Sequence, residues 1–160
     1  MSAPIRRDGD AYVVELDPSM VAVIEGLCGE METLLRDGSP LTERLFPPPY
    51  GDDDERNEGY AVLAGSELTE NRLAALETVR GVLRTGRADE EEFQAWMRSL
   101  NDMRLVLGTM MGLTDEDPGV PRRPEHEQAH QVYEFLGAAL EMTVMTIAGD
   151  MDEGGSRGGA

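Results

Sequence analysis

Residues 93–111, FQAWMRSLNDMRLVLGTMM, form the clearest helical pattern in this chain and include an arginine on the apolar face. At about 100° per residue, one face collects six large apolar side chains: Phe93, Trp96, Met97, Leu100, Leu107 and Met111. Arg104 falls near the centre of that face, and a guanidinium cannot lose its proton. It needs a carboxylate, a set of carbonyls or a route to water. We expect an ion pair with Glu25, Glu32 or Glu141.

Three other residues flank Arg104 on the same helix and form with it what we call the polar seam: Asn101, Asp102, Arg104 and Gly108. Gly108 has no side chain, so another backbone can approach the helix there. The polar seam has two interpretations. It is either a buried structural ion pair or, together with Phe46 and Tyr50 of the proline-rich run 46–50, a feature that specifies the fold and supports partner binding.

The rest of the chain predicts a mainly α fold, a five-helix bundle-like domain with a small N-terminal β-hairpin. Residues 5–16 alternate around an Asp-Gly-Asp turn, as a hairpin does. The five predicted helices cover about 17–37, 52–64, 66–85, 89–112 and 125–148. The stripe of the fifth comprises Ala129, Val132, Tyr133, Leu136, Leu140, Val144 and Ile147. Phe135 and Met142 lie off that stripe and indicate a second covered face, either a homodimer contact or another helix.

Helix ends and linkers have their own signals. Asp17 before Pro18 predicts an N-cap, and Asp89 with Glu92 predicts a capping box. We interpret the acidic run 52–55 as the N-terminal cap of a helix, and a metal site is the alternative interpretation. The proline-rich run 46–50 predicts an extended connector, and 114–124 a linker. We expect a single domain over 1–148 and a disordered Gly-rich tail over 149–160.

Composition restricts the class of partner. The chain carries 14 basic residues, all of them arginine, against 32 acidic ones, for a formal net charge of −18. Binding to DNA or RNA through phosphate contacts alone is therefore disfavoured, and basic protein partners are favoured. No apolar run approaches the roughly 20 residues that span a bilayer, and the first ten residues lack the pattern of a signal peptide. We expect a cytoplasmic protein without membrane contact.

Few residues are candidates for chemistry. The single cysteine, Cys28, excludes an internal disulfide and falls on the buried stripe of the first predicted helix, so inert packing is favoured over a redox role. His126 and His130 match HExxH, the pattern of zinc hydrolases, but the extension to a third histidine fails. We expect no metal and no cofactor, and motifs for serine hydrolases and phosphate binding are missing from the sequence. The ten methionines are read mainly as core filler, although methionines also line adaptable binding grooves.

Three blocks resemble the actinobacterial AosR-like family, long catalogued only as a domain of unknown function. They are Leu16-Asp17-Pro18, then LFPPPY at 45–50 followed by Asp52-Asp53, and Trp96 followed by LNDMRLVLGT at 100–109. The resemblance covers about residues 5–147. It implies a regulator of the oxidative-stress response that acts on transcription of sulfur and cysteine metabolism genes with an alternative sigma factor. It also implies redox sensing through an internal disulfide, which Cys28 alone cannot form.

We therefore expect a cytoplasmic regulatory protein, not an enzyme, that acts on transcription through contacts with a sigma factor or RNA polymerase. Two alternatives stay open. One is a zinc-dependent hydrolase using residues 126–130, and the other is an oligomeric structural partner, such as a homodimer, without regulatory output.

Overall fold

The structure is a computed structural model that describes residues 3–45, 51–112 and 124–157; within these ranges it leaves out the side chains of 43–44, 61–64 and 150–157. Its elements, in chain order, are β1 (Ile5–Asp8), β2 (Ala11–Val14), α1 (Pro18–Asp37), a 3-10 helix (Pro40–Leu45), α2 (Asp54–Thr85), β3 (Arg87–Ala88), α3 (Glu90–Met110), a 3-10 turn (Pro124–His126) and α4 (Glu127–Arg157). The mainly α class with a small N-terminal hairpin is confirmed.

The hairpin is the predicted one, and it gains a third strand. β1 pairs antiparallel with β2 around a turn in which Gly9 has a φ of 62°. β3 then pairs with β2, with Tyr12 opposite Ala88. A two-residue strand is too short to show any periodicity, so sequence could not indicate it. The ring of Tyr12 stacks on that of Phe93 at 4.0 Å, which fixes the sheet against the start of α3.

Helix ends follow the predicted capping residues. The side chain of Asp17 accepts a hydrogen bond from the Ser19 amide, with Pro18 at the first helical position. Asp53 caps α2, with Asp54 and Glu55 in the first turn, as the capping interpretation of the acidic run predicts. Asp89 and Glu92 form the reciprocal capping box of α3. These signals are local, which is why the sequence alone shows them.

Two boundaries differ from expectation. The second and third predicted helices form one continuous helix, α2, because Gly65 and Ser66 continue the helical backbone and the span contains no proline. The described residues therefore hold four α-helices and two short 3-10 segments instead of five α-helices. The backbone of α4 is helical to Arg157, within the segment expected to be unstructured. Residues 46–50, and residues 114–123 of the predicted linker 114–124, lie outside the described residues.

The core is centred on α3. Its buried face includes Phe93, Trp96, Leu100, Met103 and Val106, whereas Met97 and Leu107 are only partly buried. The buried face is thus rotated from the predicted one, because α3 is covered by α2 on one flank and by α4 on the other.

The face of α4 that enters the core is also narrower than predicted. Leu136, Ala139 and Thr143 are fully buried, whereas Val144, expected on the apolar stripe, is 48% exposed. Phe135 and Met142 pack against the same core, so the covered face predicted for them lies within the domain. The indole Nε1 of Trp96 donates a hydrogen bond to Thr143 Oγ1 at 3.1 Å, and that hydroxyl donates to the Ala139 carbonyl.

The helical segment Pro124–Gly149, which comprises the 3-10 turn and most of α4, is the one segment among the described residues that is long and apolar enough to cross a membrane by length and composition. The sequence predicted no apolar run of this length. A core helix passes the same test, so the finding is weak evidence for a membrane span. Leu136, Ala139 and Thr143 of this helix are buried in the domain, whereas only 17% of its apolar window as a whole is buried.

Replacing Thr143 with Val should destabilise the fold by about 1 to 3 kcal/mol, because Trp96 Nε1 would be left as a buried donor without an acceptor. Urea unfolding followed by the fluorescence of Trp96, the only tryptophan, measures this loss. Thr146→Val is the matched control, because its hydroxyl donates to the Met142 carbonyl of the same helix and so joins no two elements in this bond. The control should change stability by less than about 0.5 kcal/mol. Equal losses in the two variants would contradict the role of the Trp96 hydrogen bond.

Candidate functional site

The polar seam does not form a single site. Asp102 and Arg104 lie two residues apart, which places them about 200° apart around the helix. Asp102 faces α2 and Arg104 faces α4, while Asn101 is exposed and Gly108 is buried. Phe46 and Tyr50, the other residues assigned to this feature, lie outside the described residues. The seam residues on α3 therefore belong to two separate packing interfaces.

On the α2 side, a buried carboxylate binds an arginine that sequence reasoning did not select. Arg72 Nη1 donates to Asp102 Oδ2 at 2.6 Å, and Arg72 Nη2 donates to the Leu45 carbonyl at 3.2 Å. One guanidinium thus joins α2, α3 and the end of the 3-10 helix Pro40–Leu45. Burial raises the pKa of Asp102, and the nearby Arg72 and Arg98 oppose that rise.

This ion pair forms part of a groove between α2 and α3 with a volume of about 530 Å³. The groove is lined by Leu68, Asn71, Arg72, Ala74, Ala75, Thr78, Glu91, Glu92, Ala95, Arg98 and Asp102. Glu91, Glu92 and Arg98 are exposed, so the groove presents charge of both signs to solvent. Its small apolar residues leave room for side chains of another molecule. No pattern in the sequence indicates this groove, because exposed charges along a helix are typical of any solvated face.

On the α4 side, Arg104 has no carboxylate partner among the described residues, and the expected pairing is wrong. Its guanidinium carbon lies 4.6 Å from the ring centroid of Tyr133, in cation–π geometry. Its Nε is buried and makes no hydrogen bond within the part of the chain that the structure describes. A Cβ added to Gly137 would lie 3.4 Å from that Nε, so the glycine permits the close approach. The group that contacts the Arg104 guanidinium is thus the ring face of Tyr133 and not the expected carboxylate.

The three carboxylates proposed for Arg104 are placed elsewhere. Glu32 accepts a hydrogen bond from Arg80, which also bonds Glu77 at 2.8 Å. Glu25 and Glu141 are exposed. The sequence shows only which helix faces carry charge, and several carboxylates on α1 and α4 were equivalent by that criterion.

Cys28 is buried on α1, as predicted, and lies near the charged side chains of Arg80, Glu32 and Glu77. It is fully buried, and burial raises the pKa of its thiol to about 11. Arg80 opposes that rise, while Glu32, Glu25 and Glu77 add to it. The cation near Cys28 is therefore Arg80, and its effect on the thiol pKa is offset by the three carboxylates. At neutral pH the side chain is a thiol, which is a poor nucleophile.

The HExxH residues are split between two elements. His126 ends the 3-10 turn, whereas His130 lies in the first turn of α4, and both side chains are half-buried. Within the described ranges, no three His, Cys, Asp or Glu side chains form a group that could hold a metal ion. His126 and His130 thus have no third ligand among those residues, as a catalytic zinc would require.

Comparison with known proteins assigns the family. The model of the family described as a domain of unknown function, DUF2017, matches residues 1–147. The chain belongs to the DUF2017 family. It is also 26% identical, over 89% of its length and 85% of theirs, to proteins named oxidative stress regulator AosR from Mycobacterium bovis and Mycobacterium tuberculosis. No solved structure gives a significant match. The predicted family resemblance is confirmed.

Arg72 of α2 and Arg104 of α3 should respond in opposite ways to replacement by methionine. Arg72→Met leaves the Asp102 carboxylate buried and unpaired, which should cost about 1 to 3 kcal/mol. Arg104→Met removes a buried Nε that has no hydrogen bond to any described residue. Stability should therefore be unchanged or higher by up to about 1 kcal/mol, after the lost cation–π contact is counted. Urea unfolding of both variants measures the difference, and a loss in Arg104→Met comparable to that in Arg72→Met would contradict these environments.

The loss in Arg72→Met should also depend on pH. The pKa of Asp102 in the folded state is raised above its usual value, so ionisation of this carboxyl group opposes folding. As pH falls through that folded-state pKa, the group takes up a proton and the cost of burying its charge disappears. The difference in stability between wild type and Arg72→Met should shrink as pH falls from 7 towards 4. A constant difference would contradict an unpaired buried carboxylate.

Cys28 should resist alkylation in the native protein, because its thiol is fully buried and its pKa is raised. Modification by iodoacetamide at pH 8 should follow opening of the helical core, so urea should accelerate it in parallel with global unfolding. A rapid stoichiometric reaction without denaturant would contradict this assignment.

Proposed function

We propose that the chain is a regulatory protein of the oxidative-stress response that works in the cytoplasm and acts on transcription through protein contacts. The observation that carries the proposal is its similarity, along nearly the whole chain, to proteins named as oxidative stress regulators. A sigma factor or RNA polymerase is the proposed partner, and sulfur and cysteine metabolism genes are the proposed targets.

The groove between α2 and α3 supports a protein partner. The charge of Asp102 is balanced within the fold by Arg72, whereas Glu91 and Glu92 are exposed at the groove. A partner segment with a basic side chain would be attracted to these two carboxylates. The size of the groove suits a few side chains of such a segment.

The electrostatics of the whole chain agree with this mode of action. A formal net charge of −18 repels a phosphate backbone and attracts basic protein surfaces. Regulation would then come from binding a component of the transcription machinery. The kinship to named regulators also favours this role over an enzyme.

Capture of partners from the native host, with and without peroxide treatment, tests the proposal. Recovery of a sigma factor or RNA polymerase subunit is expected, and peroxide should change the amount bound. A Glu91→Lys variant reverses one charge at the groove and should lower recovery at least tenfold, since a like charge in an interface costs more than about 1.4 kcal/mol. Glu25→Lys, on α1 outside the groove, is the matched control and should bind like wild type.

Three outcomes would overturn parts of this proposal. A homodimer alone, with no transcription component, favours the oligomeric structural alternative. Stoichiometric zinc in the purified protein favours the hydrolase using His126 and His130. Equal binding by the Glu91 and Glu25 variants would leave the partner in place and exclude the groove as its site.

A further inference from the structure

The sulfur atoms of this chain differ greatly in their access to solvent. Cys28 is fully buried, whereas three methionines among the described residues are more than a third exposed. They are Met20 at 39%, Met110 at 45% and Met145 at 64%. A peroxide in solution can therefore reach these thioethers without unfolding the protein, and it cannot reach the thiol.

Met110 differs from Met145 in what it contacts. It is the last residue of α3 and borders a narrow groove of about 50 Å³ between α1 and α3. The groove is lined by Leu27, Glu30, Met31, Leu34, Leu41, Met103, Val106, Leu107 and Met110. Every side chain in that set except Glu30 is apolar. Met145 lies on the outward side of α4, next to the exposed Val144, and lines neither groove.

We propose that Met110 is a peroxide-sensitive modification site, and that its oxidation to the sulfoxide loosens the corner where α1, α3 and the 3-10 helix Pro40–Leu45 meet. Its position joins two properties that the other described methionines do not combine, namely contact with solvent and a place in an apolar groove between elements. The proposal rests on the proposed function for its biological setting, whereas the chemistry and the packing effect concern the isolated chain.

The reaction is a transfer of one oxygen atom. The thioether sulfur attacks one oxygen of a hydroperoxide, the O–O bond breaks and an S–O bond forms. The remaining oxygen leaves as water once the proton of the attacked oxygen has moved to it, or as an alcohol when the oxidant is an alkyl hydroperoxide. Sulfur loses two electrons and the peroxide gains them. A methionine sulfoxide reductase reverses the change, as a regulatory modification requires.

The expected effect on packing follows from polarity. The sulfoxide oxygen is a strong hydrogen-bond acceptor, and the groove offers it almost only apolar neighbours. The oxidised side chain would turn to water, so Leu41 and Leu107 would lose one wall of their groove. Leu41 belongs to the 3-10 helix, which also receives the Arg72 hydrogen bond at Leu45. Oxidation at one end of α3 would in this way affect an element that is hydrogen-bonded to Arg72, a residue of the groove between α2 and α3.

The test uses the full chain, hydrogen peroxide as the probe, and the variants Met110→Leu and Met145→Leu. Peptide mass mapping should find one added oxygen atom at each of Met20, Met110 and Met145, while Cys28 stays reduced. Oxidation should lower the Tm of wild type and of Met145→Leu by roughly 2 to 4 °C, and it should leave the Tm of Met110→Leu almost unchanged. Leucine preserves the volume and apolar character of methionine, so both variants should fold.

Two results would overturn the proposal. One is an unmodified Met110 in wild type under conditions that fully convert Met145, which needs no variant to fold. The other is an equal fall in Tm in Met110→Leu and wild type. Neither result depends on partner capture, so failure of this proposal is distinguishable from failure of the proposed function.

Discussion

Enclosure of α3 on several sides is the constraint on which the remaining packing depends. This helix contacts α2, α4, the 3-10 helix Pro40–Leu45 and the sheet. Trp96 and Leu100 are fully buried in it, so most of the surface of α3 must be apolar or satisfied by a partner within the domain. Its polar residues have to be accommodated at the flanks, between neighbouring helices.

That constraint explains the different environments of the charged residues on α3. Asp102 meets α2, where Arg72 can approach it and still bond the Leu45 carbonyl. Arg104 meets α4, where Tyr133 offers a ring face and Gly137 leaves space for the guanidinium stem. A carboxylate is the more costly group to bury alone, and it has the charged partner. A guanidinium is planar and weakly hydrated, so an aromatic ring can cover one of its faces.

Local features were predictable from the sequence, and non-local ones were not. The capping residues Asp17, Asp53 and Asp89 act on amides two or three positions away, so a short window of sequence contains both partners. Arg72 and Asp102 are 30 positions apart, and their contact depends on the rotation of two helices. The strand Arg87–Ala88 is set by pairing with β2, not by its own residues. The groove between α2 and α3 follows from the same long-range packing, which is why exposed charges alone did not indicate it.

Several arginines of this fold lie at contacts between elements, which leaves the rest of the surface more acidic than an even distribution of the same charges would. Arg72 and Arg80 are only about a third exposed, and both bind carboxylates between helices. Arg6 and Arg87 are paired with Glu15 and Asp8 at the sheet. Positive charge is thus neutralised at the contacts between elements, and it is partly withdrawn from solvent at Arg72 and Arg80, whereas Arg87 stays 55% exposed. Glu90, Glu91 and Glu92 are exposed in the first turn of α3, and with a formal net charge of −18 a basic surface of another protein is the complement that this arrangement favours.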